Sequence, residues 1–580
     1  MSHDPPVPAS ATRTSLWETL VSVLLGHLHP WLALLIATGA SLFYLGIFTT
    51  SSSGPLPPGP RPHFFVGNAL HMPRKNRAEV LASWKKIYGD VVYLRIFNRE
   101  FVVLNSAKTV IDLFDQRGVL YSDKPHLIMA GDLVGKRDTL LFLTYGEALK
   151  KHRKLLRNAL EPRRAAEHFT MQAEETGILV GQLVANPGDF VAHLRRHAGA
   201  IALRLAYGYQ VTTGGQRDRL VDLAEEMAEV TRISSEPGRW LVDSFPWLRH
   251  VPSWFPGAGF KRWARGASKI LDAFVTEPYV FAKNNKANGI GVGCFTHECL
   301  EMIEAETGRP VTPKDDEFLK WTAAGIYSGG SDTSVALGHA FIMYMITFPD
   351  VQRKAQIELD AVVGRARFAT VDDRTRLPYI DALIKEVYRF RPITPLVPHT
   401  TLTDDNYRGY RIPRGSWIMA NVWAIMHDSE EFPEPERFWP ERFLDGGCKV
   451  DPRDYAFGFG RRRCPGYNFG DSTVFFVVTH LLAAFTMSAP TDVQGNKQLP
   501  PLTLSEGHIC HPPIFRCDFT PREDISELFS VSLSVCKFAE NGNIYVSYYT
   551  CEGGTTYQEG SLLREVYFYP KPALRYTPQY

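Results

Sequence analysis

Along most of the chain, apolar residues recur three and four positions apart, the spacing of one face of a helix. The pattern is clear in EVLASWKKIYG from Glu79, AEEMAEVTRI from Ala224, the long run from Lys314 to Thr347, and QRKAQIELDAVVG from Gln352. Strand-like runs are short: DVVYLRIF from Asp90, FVVLN from Phe101, and parts of GYRIPRGSWIMANVW from Gly409. Helices therefore outnumber strands, no internal repeat is visible, and a mainly α fold with a small β region is expected. Tyr467 to Met487 reads as one apolar helix.

The uncharged run from Trp31 to Phe48 breaks this pattern. A membrane-crossing helix needs about 20 apolar residues, so the run suits a short transmembrane anchor, with Trp31 and Tyr44 near the interfaces. It starts late and lacks a basic flank, unlike a signal peptide. Arg61, Arg74, Lys75 and Arg77 follow it and point to a cytosolic body. The expected order is a tail over 1–30, an anchor over 31–48, a Ser/Pro-rich linker over 49–62 acting as a stiff spacer, a catalytic domain over 63–522, and a C-terminal extension over 523–580. That extension is rich in Tyr, Val and Ser, unlike the rest. The segment from Pro237 to Phe260 is dense in Trp, Phe and Pro, and reads as a packed loop that roofs a pocket or faces a membrane.

Composition narrows the class. At 44% hydrophobic and 22% charged residues the chain is globular, and Lys+Arg of 64 against Asp+Glu of 62 gives no electrostatic case for nucleic acid. Eight cysteines in 580 residues do not make a disulfide scaffold. His508, Cys510, His511 and Cys517 lack zinc spacing, and no nicotinamide or flavin fingerprint is present.

One cysteine stands apart, in Phe457-Gly-Phe-Gly-Arg-Arg-Arg-Cys464-Pro-Gly466. A metal-ligating thiolate needs positive potential, and here three arginines and the start of a helix both favour the anion. Gly458, Gly460 and Gly466 would let the backbone pass close to a flat ligand and aim N–H groups at the sulfur. Phe457 would shield it.

This motif resembles that of the cytochrome P-450 superfamily of haem-thiolate monooxygenases, and the likeness runs from about Pro55 to Arg522. The resemblance implies the helical triangular-prism fold with its small β region, a haem b cofactor, and Cys464 as the axial ligand of its iron. It also implies a membrane-anchored enzyme of the endoplasmic reticulum, a single-pass protein with a cytosolic catalytic domain. Electrons would come from an NADPH-cytochrome reductase and in some cases a cytochrome b-type donor. The substrate would be an apolar small molecule, with fungal secondary metabolism, such as terpenoid tailoring, as the setting.

Other motifs take roles from the same resemblance. Gly329-Gly330-Ser331-Asp332-Thr333-Ser334 lies inside the long helical run, where each glycine costs about 1 kcal/mol relative to alanine. Gly329 and Thr333 share a face, and Asp332 with Thr333 forms the acid–alcohol pair that relays protons for oxygen activation. Glu386 and Arg389, with Arg442 of Pro440-Glu-Arg-Phe443, would form a structural ion network. The haem propionates need cations or donors, for which Arg462, Arg153, His399 and Lys124 are the candidates. Leu149 stands where relatives usually carry a tryptophan, which puts Arg153's role in question. An oxygen-independent isomerase or dehydratase, or a haem-binding protein without catalysis, are the competing readings; the Asp332–Thr333 pair speaks against both.

Overall fold

The computed structural model describes residues 54–522 apart from 214–216, 291–292 and 445, together with Thr38, Leu528, 536–538 and 544–546. The expected anchor over 31–48 lies outside them apart from Thr38. Among the described residues no single helix is long and apolar enough to cross a membrane.

The proline run is not a free spacer. Pro55 O accepts the Arg411 N–H (2.8 Å) and Pro58 O accepts the Tyr93 N–H (2.9 Å), while the Asn68 amide donates to Pro60 O (2.8 Å). A Cβ on Gly59 would stand 1.9 Å from the Tyr93 carbonyl oxygen, so only glycine allows this approach. Prolines lack an N–H but keep their carbonyls, and such a run can line the edge of a sheet as acceptor only. The spacer reading is corrected for Pro55–Pro62: this stretch belongs to the folded body.

That body begins with a sheet. Strands β1 (Val91–Ile96) and β2 (Arg99–Leu104) form a hairpin. Next come β3 (Leu396–Thr400), β4 (Asp405–Tyr407), β5 (Tyr410–Ile412) and β6 (Trp417–Asn421). The main sheet runs β1-β2-β6-β3, with β2 and β6 parallel and β3 antiparallel to β6. The β4–β5 hairpin turns through Arg408 and Gly409, both at positive φ (52° and 80°), the geometry of a tight hairpin turn.

The helical part is larger. Its main elements are α1 (Glu147–Leu160), α2 (Pro162–Ala185), α3 (Phe190–Tyr207), α4 (Arg219–Ser234), α5 (Gly259–Ala287), α6 (Phe295–Thr307), α7 (Pro313–Thr347), α8 (Pro349–Val362), α9 (Pro378–Phe390) and α10 (Tyr467–Ala484). Helix α7 is started by a capping box: Thr312 and Asp315 exchange side-chain and backbone bonds, with Pro313 at the first helical position. From Val335 to Ile346 every residue of α7 is buried, so this half carries no polar face. Its small residues let α3 approach. A Cβ on Gly338 would lie 3.0 Å from Leu194 Cδ2, and one on Gly330 3.2 Å from Ala202 Cβ.

Helix α10 stops at Ala484, three residues before the expected end. Phe485–Ser488 turns into β7 and pairs with β8 (Asp518–Pro521). The apolar run continues across the junction because both elements are buried, so composition could not mark the change. Leu528 packs with Phe519 and Phe485 in the same core, which therefore extends past residue 522. Beyond it, β9 (Cys536–Phe538) and β10 (Ile544–Val546) form a short hairpin.

Candidate active site

Cys464 lies just before α10, whose N-cap is Gly466. Its N–H donates to Phe457 O (2.7 Å), which closes the loop. The Gly466 N–H points at the sulfur, and Arg153 and Arg463 add positive charge, yet burial is the larger influence and pushes the thiol up. The Gly466 N–H and Arg463, both expected, and Arg153 favour the anion; together they oppose desolvation without overcoming it. Cys464 is enclosed by protein and yet keeps open surface, as a side chain on the wall of an internal hollow does.

Gly458 and Gly460 sit at positive φ (77° and 54°), and a Cβ on Gly460 would lie 2.0 Å from the Phe114 carbonyl oxygen. Close passage to the protein's own backbone requires glycine at 460, and the positive φ favours it at 458. Gly466 has an ordinary φ of −89°. The Phe457 ring packs edge-on to Tyr467 (4.7 Å) and against Tyr388 (5.3 Å), which fixes it beside the loop.

Helix α7 packs against α10. Among its buried residues, Ser328 and Gly329 are exposed, and Gly330, Asp332, Thr333 and Ser334 are half-buried. This is an open notch in a core helix. The two glycines divide the work: Gly330 admits α3, whereas a Cβ on Gly329 would meet nothing within 4 Å. Thr333 Oγ1 donates to Gly329 O (2.6 Å), so both lie on the open face.

Four further residues, Arg462, Arg153, Lys124 and His399, gather near one another, with Asp123 as the neighbouring acid. Arg462 donates to the carbonyls of Ser122 (2.7 Å) and Leu143 (2.6 Å), Arg153 to Arg463 O (2.6 Å), and Lys124 to Pro398 O (2.9 Å). Among the described residues none of these cations makes an ion pair. Burial, with Arg462 nearby, lowers Lys124 to about 7; burial likewise lowers Arg462 to about 10 and moves Arg153 down. His399 lies on β3, stacked on Phe114 (4.1 Å). Its Nδ1 meets Tyr121 O (2.7 Å), while its Nε2 is buried without a partner. Burial first, then Lys124 and Arg462, holds its pKa well below the usual range, so the ring is neutral. Leu149 is packed in the core one turn before Arg153, and Arg153 reaches the cysteine loop without the usual indole.

Behind the loop, Glu386, Arg389 and Arg442 are fully buried together. Glu386 accepts from Arg389 Nε and one terminal nitrogen (2.8 Å each), from Arg442 Nε (3.2 Å), and from the Trp439 N–H (2.7 Å). Arg389 also donates to Met426 O, and Arg442 to Pro433 O and Arg437 O. This is a scaffold: no bond from it reaches the hollow.

Sequence reasoning missed three residues near the notch. His511 contacts Asp332 from the loop before β8, His508 of that loop is buried near Lys124, Lys136 and Asp332, and Lys136 is a buried cation held by Thr231. Only long-range packing joins them, so no local spacing could have shown it. Among the described residues no group of His, Cys, Asp and Glu could by itself hold a metal ion.

Comparison with known proteins agrees with this geometry. Residues 57–512 match the family model described as Cytochrome P-450. Cytochrome P-450 monooxygenase claR of Ampulloclitocybe clavipes is 37% identical over 84% of this chain and 90% of its own length. Cytochrome P-450 monooxygenase 208 of Postia placenta is 37% identical over 87% of this chain and 98% of its own. Cytochrome P-450 monooxygenase claT of Ampulloclitocybe clavipes is 38% identical over 81% of this chain and 92% of its own.

Proposed function

The chain belongs to the cytochrome P-450 family, and from that premise we propose that it is a haem-thiolate monooxygenase in which Cys464 holds the iron of haem b. The observation that carries this reading is the donor set itself. A thiol stands at a helix start with Arg153 close to it, and Arg462, Lys124 and His399 gather nearby, with Asp123 in reach of Arg462 but in no ion pair with these cations. Such a set fits a flat dianionic ligand with a metal at its centre. When bound, the haem supplies an iron that activates O2 with electrons from a reductase and inserts one oxygen atom into the substrate.

The protein's own part follows from the geometry. The Gly466 N–H, Arg153 and Arg463 lower the cost of a buried sulfur anion, and coordination removes the thiol proton outright. Arg462, Arg153 and Lys124 neutralise the two carboxylates, and His399, whose Nδ1–H is given to Tyr121 O, donates from Nε2 only as the imidazolium that a facing carboxylate favours. Gly329 keeps the notch open, Thr333 holds water through its hydroxyl, and Asp332 supplies the proton that this water passes on.

The remaining parts of the proposal concern setting. The substrate is an apolar small molecule from fungal secondary metabolism, as the style of the motifs suggests. The electron donor is an NADPH-cytochrome reductase, supplemented in some conditions by a cytochrome b-type protein. The run over 31–48 anchors the protein in the endoplasmic reticulum with the catalytic body in the cytosol. A second membrane contact is supported by exposed Leu241, Trp247, Trp254 and Phe255, and by Phe64, Phe65 and Leu70. The two groups adjoin the β1–β2 turn, since Phe97 touches Phe245 (5.4 Å) and its N–H donates to Val66 O (3.2 Å).

The test is the Soret band of the reduced, carbon-monoxide-bound protein. A thiolate-type band that is lost in Cys464→Ser, with haem still bound, is expected. A histidine-type band in fresh, folded wild-type protein would overturn the assignment.

A further inference from the structure

Asp332 has a partner from far along the chain: His511 Nε2 stands 3.1 Å from Asp332 Oδ1. The loop that brings it is pinned. The His511 N–H donates to Ser505 Oγ (2.9 Å), the Ser505 N–H donates to His511 O (2.8 Å), and the Cys510 N–H donates to Ile393 O (2.8 Å). The backbone therefore delivers the imidazole to a set place. Both side chains keep open surface, 30% for His511 and 27% for Asp332.

The other titratable groups around this pair can be named. His508, on the same loop, is lowered to about 4 by burial and then by Lys124 and Lys136, with Asp332 opposing. His339, two turns along α7, is lowered to about 4 by burial and then by His511 and Arg195. Arg195 is itself paired with Glu225 (2.9 Å). His508 and His339 are thus neutral near pH 7 and cannot donate a proton from an imidazolium. Lys124 and Lys136 are the nearby amines, each lowered by burial to about 7, and Lys136 is occupied by Thr231 and lies over the Phe142 ring (5.1 Å). His511 is the one imidazole bonded to the Asp332 carboxylate. Imidazole is also the side chain that changes charge between about pH 5 and 8.

We propose that His511 recharges Asp332 with protons and keeps its carboxylate in register for the relay. This rests on the reading of Asp332 and Thr333 given above. In the step, the Nε2–H bond of the imidazolium breaks and an O–H bond forms on Asp332 Oδ1. The neutral imidazole then takes its next proton from water, and no electrons move. His511 acts through Asp332, which makes it a positioning residue.

The experiment uses the haem-loaded enzyme with its reductase and ethoxycoumarin as the apolar probe. Wild type, His511→Gln, Asp332→Asn and the double variant are compared. His511→Gln keeps a hydrogen-bonding group but cannot carry the proton. It is expected to retain the carbon-monoxide band and the probe-induced spectral change, yet to lose about tenfold in probe turnover. Wild-type turnover should fall with rising pH as imidazolium is lost, and His511→Gln should lose that part of the pH dependence. The double variant should be no slower than Asp332→Asn. Independently of turnover, the His511 ring, followed by NMR in the diamagnetic carbon-monoxide form, should titrate at lower pH in Asp332→Asn, where its anionic partner is gone. His511→Gln with wild-type turnover and pH profile, beside an impaired Asp332→Asn, would overturn the proposal and leave the relay standing. Unimpaired Asp332→Asn and Thr333→Ala would overturn the relay itself. A His511 titration unchanged by Asp332→Asn, or a His511→Gln defect confined to the probe-induced spectral change, would also overturn the proposal.

Discussion

Replacing Glu386 by glutamine tests how the cysteine loop is supported. The carboxylate accepts four bonds, three of them from two guanidinium groups, and all three side chains are fully buried. Glutamine offers one acceptor oxygen, and its amide N–H groups would point at donors. Two buried cations are then left with carbonyls alone: Met426 and Arg437 for Arg389, and Pro433, Glu434 and Arg437 for Arg442. Breaking a buried pair by removing one partner costs about 3–5 kcal/mol. At about 1.4 kcal/mol per decade this is two to three and a half decades in the folding equilibrium, against a typical total of about 5–15 kcal/mol. Glu386→Gln should therefore purify with little haem, and its unfolding free energy should fall by that amount, read from the shift of its denaturant midpoint. The control is the double variant with Arg442→Gln, in which one of the stranded charges is also gone. It should recover part of the loss, because the penalty lies in the unpaired charge more than in the missing bond. A single variant within about 1 kcal/mol of wild type and fully loaded with haem would refute the reasoning.

Three further outcomes follow from other parts of the structure. Thr333→Ala should keep haem and substrate binding but divert reducing equivalents to hydrogen peroxide, read as product formed per reduced nicotinamide consumed, and Asp332→Asn should slow turnover by about 10²–10⁴. Gly460→Ala should lose haem, because its Cβ would stand 2.0 Å from the Phe114 carbonyl oxygen at a φ of 54°, whereas Gly329→Ala should fold normally, since its Cβ meets nothing within 4 Å; haem content and thermal midpoint separate the two. His152 and His339 are lowered by burial to about 4 and His197, His427 and His480 to about 3, so in the folded state these rings bind fewer protons than in the unfolded chain. Their contribution is complete above the unfolded value of about 6.5 and is lost as pH falls toward 4, and equilibrium unfolding should show stability declining across that window.

What was legible in the sequence was local. The cysteine loop, the Gly329–Thr333 face and the Glu386–Arg389 spacing each lie within one or two turns of chain, so spacing alone places them together. The reasons behind some of them were not legible. Gly460 looks like a ligand-clearance glycine, but its neighbour is the Phe114 backbone, which only the folded chain brings there. Gly330 packs on α3 and Gly329 stays open, and adjacent identical residues give no sign of that division. The proline run reads as a spacer because prolines stiffen a free chain; its docking depends on Tyr93 and Arg411, whose N–H groups become available only at a sheet edge. The Asp332–His511 contact joins a core helix to the loop before the last strand of the core, and His511 in its own sequence context resembles any polar loop residue.

The energetics of the two halves of the site point in opposite directions. The core around α7 and α10 is mostly apolar and holds no buried Lys or Arg on either helix, so it asks for no anionic ligand. The donor cluster is not satisfied: Lys124, Arg462 and Arg153 are desolvated cations with only carbonyl partners, and His399 Nε2 has none. A buried charge without a counter-charge is costly, and part of that cost appears here as the downward shifts of Lys124 and Arg462. A dianionic ligand removes the penalty when it binds, which means that it stabilises the folded state in proportion to its affinity. Loading is then not a late event on a finished scaffold. The protein without its ligand carries strain at the mouth of the hollow, and the same residues that would hold the carboxylates make the empty fold weaker. Substituting Lys124 by methionine separates the two effects: removing the charge should raise the thermal midpoint of the ligand-free protein and speed haem loss from the loaded one. A change in the same direction for both would mean that Lys124 serves packing rather than anion binding.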